Sequence, residues 1–197
     1  FDSALRGEHC AELAALLFRD EESGGRWKFK AVGEALGVVA SPVELVSVLQ
    51  PRLASDLARS LALTQGDILT FEGASKVVFG LGWDGAQGTL SASLRLTAGA
   101  LLLDDKAALS EVVWSGNTNS AAQGCVSFVD GRIAAEVVDD EQFVINLDHV
   151  PLSVRHIFFV AAGFEVNDWP RVEHPYIRMA DVSDGFDERE VAKLDLL

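Results

Sequence analysis

The sequence predicts a mainly β fold: a two-sheet antiparallel β-sandwich with two or three packed helices. Three observations predict it. From about Leu61 onward the chain breaks into many short runs of strand-forming residues. Turn dipeptides separate these runs, among them Glu72-Gly73, Asp84-Gly85, Asp130-Gly131 and Asp184-Gly185. The first third reads differently, with two stretches rich in helix formers. Short strands at regular spacing with turn signals point to a sandwich, and the helices would pack at its edge or end.

Taken in order, Ala4–Phe18 reads as a helix whose apolar stripe holds Cys10, Leu13, Ala14, Leu16 and Leu17. Ser23-Gly24-Gly25 breaks it. Arg26–Val32 then alternates charge and bulk, a half-buried strand with Trp27 and Phe29 on one face. Ser41-Pro42-Val43-Glu44 has the chemistry of a helix start: a capping hydroxyl, proline at the first helical position and a glutamate that closes the capping box. Pro51 should end or kink that helix, with Arg52–Ser60 a short continuation. The expected strands are Ile68–Glu72, Lys76–Leu81, Thr89–Thr97, Glu111–Ser115, Gly124–Val129, Arg132–Val138, Gln142–Leu147, Val154–Ala161, Tyr176–Ala180 and Glu190–Leu196. The clearest is Thr89–Thr97, where Leu90, Ala92, Leu94 and Leu96 alternate with polar residues. One domain over 1–197 is expected, made of a terminal helix and strand (1–36), a helical connector (37–60) and the main sandwich (61–197).

Composition narrows the function classes. Hydrophobic residues make up 49% and charged residues 23%, enough apolar material for a core and too little charge for wholesale disorder. The net charge is −14, which repels phosphate backbones and anionic surfaces and suits cations or basic partners. Nucleic acid is therefore not an expected partner. The longest apolar run, Ile157–Phe164, is too short to span a bilayer, which takes roughly 20 residues. Cys10 and Cys125 stand far apart without a CxxC pair, which suits a reduced, cytoplasmic setting.

Several phrases resemble the tellurium-resistance (TerD) family of stress proteins. Val77-Val78-Phe79-Gly80-Leu81-Gly82-Trp83-Asp84 is similar to its GLGWD signature. Asp139-Asp140-Glu141-Gln142, followed by Val144–Leu147 and Val150-Pro151, is similar to its GDDE strand and the turn after it. Leu63–Asp67, Pro175–Arg178 and Glu190–Leu196 resemble further family strands. One match is displaced: the phrase resembling Leu16–Gly33 comes last in the family and first here. Either the domain is circularly permuted or the chain is a segment of tandem domains; we expect one permuted domain.

The resemblance implies a non-catalytic binding or scaffolding module of a bacterial stress-response system, with other stress-response proteins as partners. It also implies calcium, which takes six to eight oxygen ligands. The candidate ligands are Asp84, Asp130, Asp139, Asp140 and Glu141. Two family aspartates are replaced by Thr89 and Ser91, and loop glycines by Ile133, Ala134, Ala135, Val137 and Val138, so calcium binding is expected to be weakened or lost. Asp104-Asp105-Lys106 reads as a polar loop tip. An ion-independent protein-interaction module is one alternative. A hydrolase-like enzyme around His174 is another, since Asp168, Trp169 and Asp181 lie near it in sequence. His156, heading an apolar run, reads as a satisfied core or edge histidine. Asp139 and Glu141, at alternate positions, could converge on one face for acid–base work.

Overall fold

The computed structural model of the chain describes residues 11–22, 24–36, 68–70, 74–85, 96–131, 139–163, 169–185 and 188–195. Among these, eleven strands form two antiparallel sheets: β1 (Ala11–Asp20), β2 (Arg26–Leu36), β3 (Ile68–Thr70), β4 (Lys76–Gly85), β5 (Leu96–Leu103), β6 (Leu109–Trp114), β7 (Val126–Asp130), β8 (Glu141–Asn146), β9 (His156–Gly163), β10 (Val172–Asp181) and β11 (Arg189–Asp195). One sheet has six strands in the order β3-β2-β1-β9-β5-β6, the other five in the order β11-β10-β4-β8-β7. Between β6 and β7 the chain passes from one sheet to the other, where Thr118 accepts the Phe128 N–H.

Alternation builds the core. Val77, Phe79, Leu81 and Trp83 of β4 point inward, as do Phe143 and Ile145 of β8 and Ile177 and Met179 of β10. Ala98, Ala100, Ile157 and Phe159 meet them from the six-stranded sheet. Phe79 stacks on Phe159 across the gap, ring centroids 4.0 Å apart, and Phe143 lies 5.5 Å from Phe159. Offset aromatic pairs of this kind add to the burial of their area.

Two sequence expectations are corrected. Within Ala4–Phe18, read as a helix, residues 11–18 belong to strand β1. Its apolar run serves both faces: Leu17 lies in the inter-sheet core, while Leu16 joins Leu101, Leu103, Phe158 and Val160 on the opposite face. A strand buried on both sides shows no alternation, and a short apolar run of this kind cannot be told from a helix by period alone. The expected two or three packed helices are not found among the described residues, where two 3-10 turns, Leu147–His149 and Trp169–Arg171, are the helical elements. The connector helix at 41–60 and the strand at 132–138 lie outside the described residues, as do 89–95 of the expected strand Thr89–Thr97. β5 overlaps that expected strand at Leu96 and Thr97 and runs on to Leu103, which the sequence reading did not include.

By contrast, Arg26–Val32 is a strand as read. Trp27 and Phe29 are buried, and Lys28 and Lys30 lie on the other face. Within the six-stranded sheet the β1–β2 hairpin sits between β9 and β3.

Candidate functional site

The two sequence motifs that stand out, Gly80–Asp84 and Asp139–Glu141, meet on the five-stranded sheet. β4 places Gly80 and Gly82 on its outer face, at positions alternate to the core residues Phe79, Leu81 and Trp83. Neither could carry a side chain. A Cβ on Gly80 would lie 2.2 Å from an Asp139 oxygen, and one on Gly82 would lie 2.3 Å from the Tyr176 ring. The two glycines are the floor of a trough that a carboxylate and an aromatic ring fill.

Asp139 lies in that trough at 2% exposure. Arg178 grips it through both oxygens, Nε to Oδ1 at 2.7 Å and a terminal nitrogen to Oδ2 at 2.6 Å. The Tyr176 hydroxyl donates to Oδ1 at 2.9 Å and the Gln142 amide to Oδ2 at 2.6 Å. A carboxylate offers about four lone-pair sites, and four donors meet them. Arg178 also reaches Glu188 at 2.9 Å, and Lys193 sits 4.1 Å above the Tyr176 ring. The hydrogen bonds to Asp139 hold the Arg178 guanidinium still more firmly charged, and burial, followed by the Asp139 charge, pushes the Tyr176 hydroxyl up.

The neighbouring acids turn elsewhere. Asp140 accepts the Trp83 backbone N–H at 2.7 Å. Glu141 is fully buried and accepts the Ala98 N–H of the opposite sheet. Asp139 and Glu141 therefore do not converge for acid–base work. Residues 139 and 140 form a bend and the strand begins only at Glu141, so strand alternation does not link the pair. Asp130 stands opposite Glu141 in the β7–β8 ladder and is half-buried. Asp84 is exposed, 3.2 Å from His174 Nδ1. Of the five candidate ligands, Asp139, Asp140 and Glu141 are turned to different neighbours, and Asp84 pairs with His174 near the end of β4. Among the described residues, no group of three or more His, Cys, Asp or Glu is placed to hold a metal. Asp104 spends its Oδ1 on the Lys106 and Ala108 N–H groups, closing the loop tip.

His174 occupies a bulge in β10, where Glu173 pairs with Asp84 but Tyr176 pairs with Gly82. Its φ is +48°, and its side chain is 79% exposed beside an Asp84 that is 69% exposed. The pair faces solvent. His156 is buried, and its Nδ1 has no hydrogen-bond partner among the described residues. The expectation of a satisfied histidine is thus met at one nitrogen, through a bond to the Asp104 backbone. Trp83 is a core residue, Trp114 is half-buried, and the side chain of Trp169 lies outside the description.

Sequence reasoning missed Arg178, Tyr176 and Gln142 as the partners of Asp139. The signal was there in part: Tyr176 and Arg178 are alternate residues on one strand face, and a carboxylate beside an apolar run needs a counter-cation if it is buried.

Fold and site define an antiparallel β-sandwich whose GLGWD strand packs, on its outer face, against a buried Asp139 paired with Arg178. The TerD domain family model matches residues 60–197. The chain belongs to the TerD family, and so to a group tied to tellurium resistance and stress. None of the curated proteins matches the chain. Among the described residues, no helix is long and apolar enough to cross a membrane.

Proposed function

We infer that the chain is a non-catalytic binding or scaffolding module of a cytoplasmic stress-response system, with its calcium binding weakened or lost and with other stress-response proteins as its partners. One observation carries this reading: the four donors on Asp139. A calcium ion takes its oxygen ligands from carboxylates with lone pairs to give. Asp139 has already given its own to Arg178, Tyr176 and Gln142. A cation entering there would have to displace a buried guanidinium. The same observation favours an interaction module that works without an ion. The solvent-facing His174–Asp84 pair gives an enzyme no enclosed site at that point.

The domain is read as one unit over 1–197, with β1–β2 as its displaced closing element. In support, the hairpin lies inside the six-stranded sheet although the family match begins at residue 60.

The test is a thermal melt in excess EDTA and in millimolar calcium, with magnesium as control. A ligand that binds only the native state raises stability by RT ln(1 + [L]/Kd). We expect no calcium-specific shift. A rise in Tm with calcium that Asp139→Asn with Asp140→Asn abolishes would overturn the ion-independent reading and restore a working site.

A further inference from the structure

Among the described residues, the β1–β2 hairpin is held by non-covalent contacts with strands far from it in sequence. β1 pairs with β9 from Ala11↔Ala162 to Phe18↔His156, and β2 pairs with β3 through Lys28, Phe29 and Lys30. Ala15, Leu17, Trp27 and Phe29 supply one end of the core, where Phe29 lies 6.1 Å from Phe79. Around the hairpin's turn, the Arg19 guanidinium donates to the Val150 carbonyl at 3.1 Å and Arg155 pairs with Glu21 at 3.3 Å.

The covalent link is a different matter. β2 and β3 are antiparallel neighbours, which a turn of about two to five residues can join. Residues 37–67 lie between them instead, and a stretch of roughly 30 residues can reach well beyond the width of one sheet. Every interaction that seats the hairpin is thus indifferent to which chain supplies it.

We propose that the gap between β9 and β3 is a hairpin-accepting site, and that its partner is the 11–36 hairpin of a second copy of this chain. Two chains then exchange hairpins reciprocally. Each sandwich keeps every pairing described above, so exchange needs no new interface. Its competitor is the chain's own hairpin, whose tether gives it an effective concentration in the millimolar range. Exchange is accordingly favoured where copies are crowded together. This inference is independent of calcium.

The experiment uses full-length chains carrying Cys10→Ser. One has Ala11→Cys, another Ala162→Cys, and a third has both. The two single variants are unfolded together, refolded at about millimolar protein, oxidised and run on a non-reducing gel. Exchange places the two cysteines opposite each other across two chains, giving a covalent dimer. The control pairs Ala11→Cys with Leu152→Cys, a site 81% exposed and away from β1. The expected result is on the order of tenfold more dimer from the matched pair than from the control, the excess of a tethered encounter over a random one. Equal yields would overturn the proposal. So would a matched pair that stays monomeric while the double variant closes its intrachain disulfide. A double variant that fails to close it would remove the β1–β9 register on which the proposal stands.

Discussion

The two sheets finish their outer faces in opposite ways. On the five-stranded sheet, Gly80 and Gly82 make room for a carboxylate, a guanidinium and a phenol that satisfy one another. On the six-stranded sheet, Leu16, Leu101, Leu103, Phe158 and Val160 make a second apolar cluster, with each of the last four at most 4% exposed. The first arrangement depends on partners being present together. The second depends on volume, and each member contributes separately. Removing one residue should therefore leave an uncompensated charge on one face and a cavity on the other.

The largest effect is expected on the polar face. Asp139→Ala takes from the Arg178 guanidinium, which is 8% exposed, its bidentate partner and leaves it the single contact to Glu188; breaking one half of a buried pair costs about 3–5 kcal/mol. Urea unfolding would read it as a lower midpoint. Replacing both members, Asp139→Leu with Arg178→Met, should recover more than half of that loss, because no buried charge is left. A double variant no better than the single would break the comparison, since the pair would then matter for its packing alone.

The next effect belongs to the apolar face. Leu101→Ala should cost about 2–4 kcal/mol, the lost transfer energy plus the cavity, and by the same measurement it should combine additively with Asp139→Ala, as sites without shared partners do. Marked coupling between the two would show that the faces are not independent.

The smallest effect sharpens the contrast by pH. His156 lies on the apolar face, opposite Phe18 and Leu103 in its ladders. Burial holds its imidazole below the ordinary histidine range, opposed in part by the bond to the Asp104 backbone and reinforced by Arg155. The folded state then binds fewer protons than the unfolded one. Stability is fully present above the unfolded pKa of about 6.5 and declines as pH falls through that value toward the folded pKa. Urea midpoints across about pH 5–8 should fall on the acid side, and His156→Gln should flatten that fall. An unchanged slope would place the titrating group elsewhere.

The same contrast decides what could be read from the sequence. Strands with one polar face announce themselves: Lys28 and Lys30 against Trp27 and Phe29 gave β2 its period. Where both faces are apolar the period vanishes, so β1 read as a helix and the Leu101–Leu103 half of β5 went unseen. The site was legible as a motif and illegible as a mechanism. Three adjacent acids go to three partners, Arg178, the Trp83 backbone and the Ala98 backbone, all far away in sequence. Chain order brings them together through sheet topology, which spacing along the sequence does not encode.

Gly80 and Asp139 lay claim to a single volume, since a methyl group on the one would overlap the carboxyl of the other. The two positions can change only in a fixed order. A lineage that shortens the acid at 139 first opens the space that a side chain at 80 requires, and it must also dispose of Arg178. A lineage that enlarges residue 80 first meets a steric barrier with no local remedy. Descendants that keep the acid should keep the glycine too, whereas the glycine can outlast the acid.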